Sequence, residues 1–231
     1  MATLYIVATP IGNLEDITHR ALRVLREVSV VLCEDTRTTS KLLGHYAIET
    51  PTLSYHAHSG DMKIDKIIEL LEEGKDVALV TDAGTPAISD PGSFLVSRVR
   101  THFSNTPERI AIVAIPGPSA LTAALSIAGV PTADFLFLGF LPHKKGRETL
   151  FREIADATRT VVFYESPHRI EKTLDSLAEH LGAGTERRVT LVRELTKIYE
   201  EVLTGTPQEL SAILLDTPEK RRGEFVVIVS A

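Results

Sequence analysis

Four short segments of the chain hold the residue types that could do chemistry. They are Thr9-Pro10-Ile11-Gly12-Asn13, Glu34-Asp35-Thr36-Arg37, the run from Asp82 to Gly92, and Pro116-Gly117-Pro118-Ser119-Ala120. All are rich in glycine, proline and small polar side chains, which let main chain approach a ligand closely and hold irregular turns. Any parallel sheet needs such turns, so one of them would mean little. Four at one sheet edge point to a ligand site, because open parallel sheets bind ligands beyond the carboxyl ends of their strands. The first segment is no Walker loop, lacking Gly-Lys-Ser/Thr, and no dinucleotide fingerprint, having only Gly12. The acids in 34–37 and 82–92 suit hydroxyls or a positive centre better than a pyrophosphate. S-adenosylmethionine, with its ribose diol, zwitterionic amino acid and cationic sulfur, meets that demand.

The elements that must position these loops can be read from the apolar pattern. Leu4–Ala8, Val30–Cys33, Val77–Thr81 and Ile110–Ile115 are apolar runs without alternation, as expected for strands covered on both faces. Between them, 17–28 places Ala21, Leu22, Leu25 and Val28 on one helical face, and 64–73 is an amphipathic helix closed by Gly74. Strand and helix in that rhythm predict a largely parallel sheet. Further on, Phe135–Phe140, Thr160–Tyr164, Val189–Arg193 and Phe225–Val229 read as strands, with helices near 171–180 and 207–215, and 139–147 as a loop. The fold class is therefore α/β with two α/β domains, 1–116 and 117–231, the break falling at the Pro-Gly-Pro turn.

Composition bounds the rest. The 231 residues are 43% hydrophobic and 24% charged, ordinary for a globular chain. The net charge of −6 excludes a general polyanion coat but leaves room for a local basic rim. Cys33 is the single cysteine, so neither an internal disulfide nor a cysteine zinc site can form. Residues 110–133 are uncharged and long enough to span a bilayer, yet Pro116-Gly117-Pro118 breaks the run, which reads better as strand, turn and helix. No secretory pattern is seen, and a cytoplasmic protein without a membrane partner is expected. The spacings of His and acids give no metal-ligand set.

The segments VATPIGNLEDIT (7–18), VVLCEDTRTTSKLL (30–43), TDAGTPAISDPG (81–92), IPGPSA (115–120), GFLPHKKGRE (139–148), FYESPHR (163–169), RELTKIYEE (193–201) and RGEFVVIV (222–229) together resemble the tetrapyrrole-methylase superfamily. Within it, the closest resemblance is to the ribosomal RNA small subunit methyltransferase I family, the 2′-O-ribose methyltransferases. The resemblance covers almost the whole chain in order. It implies a mostly parallel N-terminal sheet and a mixed C-terminal one, with S-adenosylmethionine folded in the cleft between domains. A homodimer, and a cytidine in the decoding region of small-subunit (16S) ribosomal RNA as substrate, are further implications.

Carried over residue by residue, the resemblance assigns Pro10, Gly12, Asp82, Gly84, Thr85, Ala87, Ile88, Ser119 and Ala120 to the cofactor in the first half, and Tyr164, Glu165, Leu195 and Thr196 in the second. Ala8, Thr9 and Pro10 stand where the superfamily is usually glycine-rich, which turns the first loop toward the substrate cleft. Glu165 departs from the hydrophobic residue usual in porphyrinoid enzymes. A ribose hydroxyl is a weak acid, so a base or a cation near it should help in-line transfer. Candidates are Glu34, Asp35, Glu165 and Lys197, with His168 and Glu194 beside them. Lys144, Lys145, Arg147, His168, Arg169 and Arg193 are the expected RNA contacts. Duller accounts stand beside these. Glu165, His168 and Arg169 could cap a helix opening at Ser166-Pro167, Arg193 and Glu194 could be an edge ion pair, and Asp35 with Arg37 could fix a turn. Two other functions compete. One is methylation of a porphyrinoid ring, disfavoured by 6% aromatics, no tryptophan and a basic 144–147 loop. The other is an RNA-binding assembly factor without turnover, disfavoured by the intact DAGTP and PGPSA segments.

Overall fold

A computed structural model describes residues 1–56, 60–90, 92–182 and 184–231. Its contacts divide the chain into Met1–Ser119 and Ala120–Ala231. The division falls just beyond the expected break after 116, because the Pro-Gly-Pro turn packs back on its own sheet. A Cβ on Gly117 would meet that of Ala8 at 2.9 Å, and Pro118 carbonyl accepts from Thr85 Oγ1 at 3.0 Å.

The first unit alternates β1 (Ala2–Val7), α1 (His19–Glu27), β2 (Val30–Cys33), α2 (Thr36–His45), β3 (Thr52–Ser54), α3 (Asp61–Glu72), β4 (Val77–Leu79), α4 (Gly92–His102) and β5 (Ile110–Ile115). All five strands are parallel, in the order β3-β2-β4-β1-β5. Alternate residues of each strand serve opposite faces. Leu4, Leu32, Val77 and Leu79 pack on Ile64, Ile67 and Leu71 of α3 and Leu95 and Val99 of α4. Val7, Val31, Cys33 and Ala78 pack on Ala21, Val24 and Leu25 of α1 and Leu43 of α2. This two-sided burial is why the strands read as unbroken apolar runs. Cys33 lies in this core as a small apolar residue, and burial raises its thiol pKa.

The second unit runs α5 (Ala120–Ile127), β6 (Phe135–Phe140), α6 (Arg147–Asp156), β7 (Thr160–Glu165), α7 (Ile170–Leu181), β8 (Val189–Arg193), β9 (Glu201–Gly205), α8 (Pro207–Asp216) and β10 (Phe225–Val229). Its sheet has the order β6-β7-β10-β8-β9, with β6 and β7 parallel and the other pairs antiparallel. Phe163, Leu191 and Val227 face α6, α7 and α8 through Phe151, Leu174 and Leu210, all fully buried. Val162, Val192 and Ile228 face α5 through Ala124 and Leu125. The uncharged stretch 110–133 thus becomes an edge strand, a turn and an eight-residue helix. No helix among the described residues is long and apolar enough to cross a membrane.

Several elements were not expected. β2 leads straight into α2 because Asp35 caps it, its carboxylate accepting from Arg37 N at 2.8 Å. α6 begins inside the segment expected to be loop, its N-cap Gly146 at φ +83°. β3, α4 and β9 also appear. α8 starts with a reciprocal cap, in which Thr206 Oγ1 accepts from Glu209 N and the Glu209 carboxylate from Thr206 N.

Two substitutions test this packing. Ile67→Ala should cost about 2–5 kcal/mol, because a fully buried branched side chain is lost to a cavity. Thr206→Ala should cost about 1 kcal/mol. Urea melts of each variant read both values.

Candidate functional site

The carboxyl ends of β1, β2, β4 and β5 carry the four segments, and the main chain ties them together. Thr9 and Gly84 form an antiparallel bridge, Thr9 N donating to Gly84 O at 2.9 Å and Gly84 N to Thr9 O at 3.1 Å. Thr9 Oγ1 adds a bond to Thr81 O at 3.1 Å. Gly84 sits at φ +85°, and a Cβ there would reach Ile11 Cγ2 at 3.3 Å. The left-handed backbone conformation favours glycine, and the close approach of Ile11 adds to the cost of any side chain. Asp35 N donates to Asp82 Oδ1 at 3.2 Å, joining the segment after β2. Thr85 binds Pro118 as described, joining the one after β5. Farther along, Asp90 Oδ1 accepts from both Ala87 N and Gly92 N at 2.8 Å, which holds Ala87 at φ +71°.

Beside this edge lies a half-open cavity of about 300 Å³. Thr9, Pro10 and Leu14 line one side and Leu42 and Lys41 of α2 another, with Asp82 at its margin. The reading of the sequence did not find Lys41 and Leu42, because it did not find α2. The signal was present in the capping Asp35 and in Thr39, Leu42 and Leu43 at helical spacing, all three now buried.

The acids at this edge differ in role. Asp35 is held ionised, its pKa lowered to about 2 by hydrogen bonds from the Arg37 side chain and main chain. A carboxylate so stabilised is a poor base, and the geometry serves the turn. Glu34 is partly buried, and its pKa is raised by loss of solvent and then by the charges of Asp90 and Asp82. The shift of Glu34 is toward neutral pH, the direction a general base requires.

In the second unit, Tyr164 is half-buried with its ring edge-on to Phe137 and Phe140, and burial raises its pKa. Glu165 is 1% exposed. Its carboxylate accepts from Ser166 N at 2.8 Å and Thr173 Oγ1 at 2.6 Å, and pairs with Arg169 Nε at 2.7 Å. Arg147 Nη1 lies 3.9 Å away. Glu165, expected at the cofactor and among the catalytic candidates, thus lies in a buried ionic centre. Three of the expected RNA contacts are engaged within the protein, Arg193 buried and Arg147 and Arg169 partly buried. Arg193 is 7% exposed and donates to the carbonyls of Arg222, Tyr199 and Glu219. Lys144, Lys145 and His168 are exposed.

Lys197 is likewise fixed rather than free. Burial alone would lower its pKa, but the Glu224 and Glu194 carboxylates at 2.8 and 2.9 Å raise it, which favours the ammonium form. The same contacts lower the Glu194 pKa against its own burial. This network braces the strip 194–197, in which Glu194 and Thr196 adopt φ +51° and +65°. Such values are rare outside glycine and persist where the surroundings impose them. Leu195 and Thr196 are partly buried, and the buried Thr196 Oγ1 has no hydrogen-bond partner among the described residues. Thr196 N is answered by the Glu200 carboxylate, so the strip is held from within the second unit. No group of three or more His, Cys, Asp or Glu placed to hold a metal occurs among the described residues.

Residues 3–211 match the family model of tetrapyrrole (corrin/porphyrin) methylases. Solved structures share the fold. The cobalamin biosynthetic enzyme cobalt precorrin-4 methyltransferase superposes with a TM-score of 0.66 at 18% identity, over 98% of this chain and 94% of that one. The uroporphyrin-III C-methyltransferase of Thermus thermophilus, complexed with S-adenosylhomocysteine, gives 0.64 at 17% identity, over 99% and 97%. The chain is thus a tetrapyrrole-methylase-fold protein. Closer relatives are the ribosomal RNA small subunit methyltransferases I of Halalkalibacterium halodurans and Thermotoga maritima. The first is 48% identical over 98% of this chain and 75% of that protein, the second 45% identical over 100% and 99%. The chain belongs to the ribosomal RNA small subunit methyltransferase I family.

Glu34→Gln should show the cost of holding that carboxylate ionised. Its folded pKa lies above the ordinary 4.5, so wild type should lose stability relative to the variant as pH rises from 4.5 through the raised value. Paired urea melts between pH 4 and 8 measure the difference. A gap that does not change with pH would show Glu34 to be unperturbed.

Proposed function

We propose that the protein transfers the methyl group of S-adenosylmethionine to a ribose 2′-hydroxyl of a cytidine in the decoding region of small-subunit ribosomal RNA. The observation that carries this reading is the interlocked edge Thr9–Gly84–Pro118, whose glycine-dependent turns hold main chain at the carboxyl ends of a parallel sheet. Relatives named for ribosomal RNA methylation, 43–48% identical over nearly the full chain, supply the substrate class. The same reading takes the protein as a cytoplasmic homodimer.

When bound, the cofactor supplies an electrophilic methyl carbon on a sulfonium, and the chain supplies alignment and electrostatics. Gly84, Thr85, Ala87 and Ile88 would meet its methionine part, with Ser119 at the neighbouring turn. The nearby acids Asp82, Asp90 and Glu34 favour positive charge at this edge. Glu34 would take the 2′-hydroxyl proton, its raised pKa matching it to that task. The cavity lined by Pro10, Leu14 and Leu42 has room for a nucleoside, and Lys41 at its wall suits the attached phosphate.

Purified protein with labelled cofactor should transfer label to small ribosomal subunits lacking the modification and not to a porphyrinoid. Gly84→Val should abolish transfer by displacing the turn, with cofactor uptake lost in calorimetry. Glu34→Gln should lower the transfer rate about 10²-fold or more and remove the acid limb of its pH profile. Label reaching a porphyrinoid instead would favour the ring-methylase reading. Folded wild type that takes up no cofactor would overturn the proposal.

A further inference from the structure

The buried centre around Glu165 is not used in the transfer step proposed above, yet three elements meet on it. Glu165 ends β7, Arg169 precedes α7, Thr173 lies in α7, and Arg147 opens α6. Arg169 Nη1 donates to Leu141 O at 2.8 Å, and Arg147 Nη1 to Pro142 O at 3.4 Å. Arg147 Nη2 donates to Thr173 Oγ1 at 2.7 Å, and that hydroxyl donates in turn to Glu165 Oε2. The Arg147 guanidinium also stacks over Phe151, 4.9 Å from the ring centroid. Both ends of the segment 141–147 are therefore clamped by guanidinium groups that one carboxylate holds. Side-chain exposure is 0% for Glu165, 13% for Arg147 and 15% for Arg169, so neither arginine is placed to meet a polyanion as a surface cation. Between the clamps, His143, Lys144 and Lys145 are exposed.

We propose that Glu165 is a positioning residue for RNA phosphate binding: it fixes Arg147 and Arg169, and through them the loop that presents Lys144 and Lys145 to the backbone of the substrate. The proposal rests on the RNA-methylating reading above. It divides the basic residues into two contacts and two struts. Pairing matters because two guanidinium groups buried without their carboxylate would repel each other and leave the site.

The test exploits a sign. Neutralising an acid on a protein that binds a polyanion should by charge alone strengthen binding and leave the counterion count unchanged. Positioning predicts the opposite. In Glu165→Gln, affinity for small-subunit RNA should fall at least tenfold. The slope of log affinity against log salt should drop by roughly 1–2, matching Lys144→Ala/Lys145→Ala, since each lost phosphate contact removes roughly 0.7–0.9 from it. The triple variant should lose nothing further, and calorimetric cofactor uptake should be unchanged throughout. Trypsin should cleave after Lys144 and Lys145 at least tenfold faster in the variant without RNA present. Thr173→Val, which removes the bridging hydroxyl while keeping its shape, should move the same readouts in the same direction and decides the matter if Glu165→Gln does not fold. Unchanged or tighter RNA binding with an unaltered slope overturns the proposal, as does loss of cofactor uptake with the RNA slope intact. Wild type without RNA affinity overturns the RNA reading and the phosphate role, while the trypsin rates still report whether Glu165 holds the loop.

Discussion

The bridge between Thr9 and Gly84 is the constraint on which the site depends. Two segments leaving neighbouring parallel strands would ordinarily diverge toward their own helices, since α1 and α4 lie on opposite faces of the sheet. Two main-chain hydrogen bonds hold them together, and the left-handed glycine makes the pairing possible. The contacts of Asp35 to Asp82 and of Thr85 to Pro118 then extend the tie to four strand ends. A rigid rim of peptide groups results, built from backbone that no helix or strand uses. Side-chain identity matters less here than the absence of side chains at Gly84 and Gly117.

The second unit solves a different problem by different means. Its functional segments are braced by charge, with Lys197 between two carboxylates and Glu165 between two guanidinium groups. Partly buried ion pairs add modestly to stability, because desolvation offsets their attraction. Their value is geometric, since breaking one partner strands the others. Gly223 belongs to the same arrangement. At φ +98° it passes so close to Glu194 that a Cβ would fall 2.4 Å from Cγ, leaving no space for another residue.

Much of this was legible before any coordinates. Strands with two covered faces announce themselves as unbroken apolar runs, so Val30–Cys33, Ile110–Ile115 and Phe225–Val229 were read to the residue. The four loops were read as one edge, which they form. What escaped was of two kinds. α2 and α6 begin at Thr36 and Arg147 amid polar residues, where a helix shows only through its cap and a few apolar positions. The inward turn of Arg147, Arg169 and Arg193 escaped because a basic residue in a loop looks the same in sequence whether it meets solvent or a carbonyl. Burial decides that, and burial is a property of tertiary packing.

The position of β10 has a consequence for how the molecule is made. It follows the other strands of its sheet in sequence, yet it sits in the middle of that sheet, bonded to β7 on one side and β8 on the other. The first sheet is completed by residues up to Ile115 and can close while later segments are still being synthesised. The second has no centre until Phe225–Val229 leaves the ribosome, so β6–β7 and β8–β9 must wait as separate pairs with apolar faces uncovered. Closing the second sheet therefore waits on this one strand, while every strand of the first sheet lies upstream of it.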